Sequence, residues 1–99
     1  MRVVRINTVA RLEHELGGIN DAERLTEINV LKNKLSGIFQ RIFKNHETKS
    51  IKFTTQQVSN IKCAINMEIS LSSFRRETIQ DFMLSIMEIQ DMTEVEIQL

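Results

Sequence analysis

Between Asn20 and Asn45 the chain reads NDAERLTEINVLKNKLSGIFQRIFKN, and no other stretch narrows the choice of fold so far. Ile28, Leu31, Leu35, Ile38 and Ile42 recur at intervals of three, four, three and four, which lines them up along one side of a helix. Leu25 and Phe39 widen that line on one side and Phe43 on the other, giving the roughly 100° stripe of a core-facing helix. Asn20 and Glu23 form an N-x-x-E variant of the capping box, each able to satisfy an orphan backbone donor of the first turn. Asp21 and Glu23 suit the positive start of the helix macrodipole, and Arg41 and Lys44 its negative end. Gly37 interrupts the pattern at a cost of ~1 kcal/mol relative to Ala, and is read as a place where a partner helix comes close. The stripe is taken as core in preference to an intermolecular seam.

The breakers that a many-turned β fold needs are scarce: there is no Pro, and Gly occurs only at 17, 18 and 37. Ninety-nine residues make one domain with a modest core, small enough for oligomerisation to add usefully to stability. The single cysteine, Cys63, excludes an internal disulfide framework and fits a reducing compartment. Arg5 and Arg11 break up the N-terminal stretch before it reaches signal-peptide length, and no run approaches the ~20 apolar residues of a membrane span. The expectation is a soluble cytosolic protein with no membrane contact. Abundant Ile, Asn and Lys beside three Ala suggest an AT-rich coding sequence of the kind phages and mobile elements carry.

Formal net charge is zero, yet the charges are segregated. Residues 1–23 hold three basic and four acidic side chains, 24–76 ten and three, and 77–99 none and six. A positive middle therefore precedes a negative tail.

Along the rest of the chain, Arg2–Ile6 reads either as a short strand or as the start of a first helix running through Val9, Leu12 and Leu16 to a Gly17-Gly18 stop. The segment KNHETKSIK after Phe43 reads as a surface loop, and Thr54-Thr55-Gln56-Gln57 as the cap of a third helix. From Val58 to Phe74 two periods compete. Val58, Ile61, Ile65 and Ile69 fit a helix, while Ile65, Met67, Ile69 and Leu71 alternate with polar residues as in a half-buried strand. The helix is preferred, packed from two sides. Ser72 or Ser73 caps a fourth helix in which Ile79, Phe82, Ile86 and Ile89 repeat the three-four spacing beside Met83 and Met87. Thr93–Leu99 alternates strictly and could pair with Arg2–Ile6, setting its arginines against Glu94 and Glu96, although a frayed acidic tail is ranked slightly ahead. These readings add up to a mostly α, single-domain, three- to four-helix bundle, with room for a short terminal strand pair.

No catalytic, metal or cofactor motif emerges. His14 and His46 lack a second His at ligand spacing, and Cys63 lacks a nearby Cys or His, so neither a zinc site nor an activated nucleophile is expected. Glycine-rich phosphate loops and a GxSxG elbow are missing as well. The expectation is a non-enzymatic interaction protein without cofactor or metal, acting as an assembly, adaptor or inhibitor protein. Its partner is another protein or itself, as a homo-oligomer. The residues singled out for partner binding are Arg41, Lys44, Lys49 and Lys52 in the positive middle, Met83 and Met87 as adaptable apolar contacts, and Glu94 and Glu96 in the tail. The alternative is a small DNA-binding regulator. Its degenerate helix-turn-helix would span TTQQVSNIKCAINMEISLSSFRR and use Lys49, Lys52, Lys62, Arg75 and Arg76 on phosphates.

Overall fold

The computed structural model describes residues 2–12, 21–45, 49–59, 61–73 and 75–98. Six elements follow one another: β1 (Arg2–Arg11), α1 (Asp21–Ile42), β2 (Lys49–Gln57), β3 (Lys62–Leu71), α2 (Arg76–Met87) and β4 (Met92–Gln98). The strands form one sheet in the order β2-β3-β1-β4, with every neighbouring pair antiparallel. Both helices pack on one face, where Phe39, Phe43 and Phe82 join the inward residues of β1 and β3 in a single core. The expected helical bundle is overturned by this two-layer architecture.

The centre of the sheet follows from alternation. In β1, Val4, Ile6, Thr8 and Ala10 are buried, while Val3, Arg5 and Arg11 face solvent. In β3, Cys63, Ile65, Met67, Ile69 and Leu71 are buried in strict period two over ten residues. The segment Val58–Phe74, preferred above as a two-faced helix, is thus the β2–β3 turn and strand β3 in its described part. The β-branched Ile65 and Ile69 suit a pleated surface, and partners on both sides satisfy the backbone of β3. Thr8 is the one polar side chain in the buried core of the described residues, and its hydroxyl donates to the Ile65 carbonyl across 2.6 Å.

The polar stretch read as a loop and a helix cap is instead, from Lys49 onward, the edge strand β2. Ile51 and Phe53 turn toward the core, and Ser50, Lys52 and Thr54 turn away. The N-terminal stretch is the long strand β1 and not a first helix. Its Gly17-Gly18 stop lies outside the described residues, as does Asn20 of the capping box. The tail ranked as frayed is strand β4, paired to β1 with Ile6 opposite Ile97 and Thr8 opposite Val95. Arg5 faces Gln98, Asn7 faces Glu96 and Val9 faces Glu94, so the expected arginine–glutamate pairs stand out of register. A bulge at Thr93 shifts the register between Val9 and Ala10, and the Thr93 hydroxyl donates to the Val9 carbonyl across 3.1 Å.

Helix α1 forms where the three-four spacing places it, but its buried face is rotated. Ile28, Leu31, Leu35, Phe39 and Phe43 are buried, Ile38 and Ile42 half-buried, and Leu25 is exposed. Phe39 and Phe43, at and just beyond the end of α1, meet α2: the ring centroids are 5.2 Å apart for Phe39 and Phe43, 5.6 Å for Phe43 and Phe82 and 6.1 Å for Phe39 and Phe82, in tilted and edge-on contacts. Gly37 faces open space, and a Cβ added there would meet nothing within 4 Å, so neither described helix brings a neighbour against it. In α2 the spaced Ile79, Phe82 and Ile86 are buried. Its cap is Arg75 in extended conformation without a side-chain bond, not Ser72 or Ser73.

Candidate interaction edges

The helices cover one face of the sheet and leave the other open. That open face is mostly polar: Arg5 and Asn7 of β1, Asn66 and Glu68 of β3, Lys52 of β2 and Glu96 of β4 all point to it, together with Val3, Val9 and Ala64. The Arg5 guanidinium lies 3.8 Å from the Glu68 carboxylate, with both side chains well exposed, a contact of little energetic weight. A shallow depression of about 240 Å³ lies among Arg5, Asn7, Thr54, Asn66, Met67 and Glu68. A second hollow, of about 170 Å³, is bounded by α1 residues Glu27, Val30, Leu31 and Lys34 with Arg11, Leu12 and Asp91. The Cys63 thiol is buried in the core, where desolvation raises its pKa against the lowering effect of a backbone hydrogen bond from Gln56 and the positive fields of Arg24 and Lys32.

The residues singled out from sequence divide into three places. Arg41 and Lys44 are exposed at the end of α1, and Lys49, at the start of β2, sends its ammonium back to the Phe43 carbonyl across 3.0 Å. Lys49 therefore fastens the end of a helix. Met87 is exposed on α2 beside exposed Leu84, and Met83 is half-buried. Lys52 stands on one outer strand of the sheet, and Glu94 and Glu96 on the other. His14 and His46 lie outside the described residues.

Each outer strand presents two rows. On the helix side of β2, Ile51 and Phe53 are half-buried; on the helix side of β4, Val95 and Ile97 are half-buried too. Opposite these apolar rows lie Lys52 on β2 and Glu94 and Glu96 on β4, all exposed. With β3 and β1 between them, the two edges stand ~14 Å apart at ~4.8 Å per strand, so Lys52 cannot reach Glu96 of its own chain. Nothing local marks Ile51, Phe53, Val95 and Ile97 as edge residues, because sequence alone does not say which strands are outermost. The alternation of Ser50, Lys52 and Thr54 with Ile51 and Phe53 was the signal present.

The proposed helix-turn-helix does not form, because its described residues up to Arg75 belong to strands, turns and coil, and only Arg76, its last, is helical. Lys62 opens β3, and Arg75 and Arg76 follow its far end, ~30 Å away at ~3.4 Å per residue, so these cations form no single stripe.

No protein family matches the sequence, and no curated protein does. Solved structures do match. The de novo designed protein Ferredog-Diesel superposes with a TM-score of 0.55 at 15% identity, over 99% of this chain and 85% of that one. The ACT domain from GTP pyrophosphokinase of Chlorobium tepidum superposes with a TM-score of 0.56 at 12% identity, over 97% of this chain and 96% of that one. The fold is ferredoxin-like. At such identities the likeness is one of architecture, and a ferredoxin-like sheet with one bare face and two outer strands hosts many kinds of work. Among the described residues, no helix is long and apolar enough to cross a membrane.

Proposed function

We propose that this chain is a small, non-enzymatic protein–protein interaction module that binds by strand addition to the outer strands of its sheet. One observation carries the reading: each outer strand sets an exposed polar row beside a half-buried apolar pair, with Lys52 as the charge in the row on β2 and Glu94 and Glu96 as the charges on β4. Backbone donors and acceptors on such an edge supply affinity, and the alternating side chains supply choice of partner. A reducing, cytosolic setting accords with the buried free thiol of Cys63.

The test uses Val95→Lys, which points a charge toward the helix side of β4 and blocks strand addition there. Its fold is verified by circular dichroism. Mass in solution at low and high salt reports self-association, and immobilised chain reports foreign partners from extracts of the cells that make it. Binding by the native chain that disappears in Val95→Lys supports the reading. Loss confined to Ile51→Lys, which points a charge toward the helix side of β2, supports it equally; equal binding by all three chains, or none by the native chain in either measurement, overturns it.

A further inference from the structure

Resting on that reading, we propose that each edge takes the opposite edge of a second copy: β2 of one molecule adds antiparallel to β4 of the next, with Lys52 opposite Glu96. Strand direction permits this directly. Antiparallel pairing runs from β2 through β3 and β1 to β4, so β2 and β4 point opposite ways within one molecule. A copy set beside another in the same orientation continues the antiparallel sheet and keeps all helices on one side.

The register then follows from the side chains. Lys52 opposite Glu96 brings Ile51 opposite Ile97 and Phe53 opposite Val95, so the half-buried apolar residues of both edges cover one another on the helix side. On the open side, Thr54 meets Glu94. A slip of one residue would turn Lys52 onto the apolar row. Sliding by two to set Lys52 against Glu94 would put Phe53 opposite the bulged Thr93 and Lys49 opposite Ile97.

Like edges repel each other in the corresponding arrangement. A two-fold pairing of β4 with itself that covers Val95 with Ile97 sets Glu96 against Glu96. The two-fold pairing of β2 that covers Ile51 with Phe53 sets Lys52 against Lys52. Like charges directly opposite one another on a sheet are destabilising, and opposite charges favourable. Only the β2–β4 pairing combines apolar cover with opposite charge. Such an interface is heterologous, so it leaves one edge free at each end and grows into a ring or an open filament instead of stopping at a dimer.

The experiment is light scattering of the full chain against concentration, at low and high salt, for the native protein, Lys52→Glu, Glu96→Lys and an equimolar mixture of the two variants. Circular dichroism verifies each fold. Glu96→Lys faces Asn7 within its own sheet and so adds no like charge directly opposite; Lys52→Glu faces Glu68 and is the more demanding variant. The expected result is a native protein whose mass rises with concentration and falls with salt. Each variant alone should need about tenfold more protein to assemble, and the mixture should recover native assembly, since the reversed edges complement one another. A native chain that stays monomeric at every concentration overturns the proposal and leaves strand addition to a foreign partner, which the Val95→Lys comparison tests separately. Assembly that ignores both reversals, or stops at a closed dimer, overturns it while leaving the broader interaction reading in place.

Discussion

The ammonium of Lys49 donates a hydrogen bond to the backbone carbonyl of Phe43 across 3.0 Å, joining the first residue of β2 to the end of α1. The last carbonyls of a helix have no donor within it and carry the negative end of its dipole, so a cation placed there both satisfies and neutralises. Lys49→Met keeps most of the side-chain length and removes the charge. It should lower stability by about 1 kcal/mol, some 4–8 °C in Tm for a domain of this size, while leaving any self-assembly and its salt response as in the native chain. Thermal unfolding alongside light scattering measures both. An unchanged Tm with weakened assembly would return Lys49 to the binding surface.

Gly37 sits in the solvent-facing part of α1, and a Cβ there would meet nothing within 4 Å. Nothing in its surroundings repays the conformational freedom that glycine surrenders in a helix. Gly37→Ala should therefore stabilise the protein by up to ~1 kcal/mol, raising the urea midpoint without changing the slope of the transition. A destabilised variant would mean that some partner packs closely on this part of α1.

Cys63 offers a pH handle on the core. Burial pushes its thiol above the usual range, so the folded chain holds the proton more tightly than the unfolded one. The corresponding stability is fully present below the ordinary thiol pKa of ~8.5 and is lost as pH rises toward the folded value. Between about pH 7.5 and 9.5 the urea midpoint of the native chain should fall further than that of Cys63→Ala, whose missing sulfur costs the same at either pH. Parallel pH dependence in the two proteins would show that the thiol does not titrate differently on folding. Iodoacetamide should likewise react with the native thiol only as fast as the core opens.

Legibility in the sequence tracked how local each determinant is. The two helices declared themselves because Ile28, Leu31 and Leu35, and again Ile79, Phe82 and Ile86, repeat over several turns and oppose any strand period. Even there the buried face of α1 depended on α2: Phe39 and Phe43 are fully buried with Phe82 of α2 packed against both rings, while Leu25, part of the same sequence stripe, is left in solvent. The stretch 64–72 satisfied both periods, and the strand won because two neighbours were available to pair with it. Those neighbours include β1, remote in sequence, so no window around Ile65 could weigh them. The same holds for β2, whose apolar row is only two residues long.

By itself the sequence determined the two helical segments, the strict alternation of the terminal strand, the lone cysteine and the separation of positive middle from negative tail. Tertiary structure decided that four strands take the order β2-β3-β1-β4, and with that order which charges stand at which edge. Helical hydrogen bonds close within four residues and leave their trace in neighbouring positions, whereas a sheet is closed by backbone groups from remote segments. That is why Lys52 and Glu96 were visible as charges from the outset but became opposing edges of one surface only once the sheet was assembled.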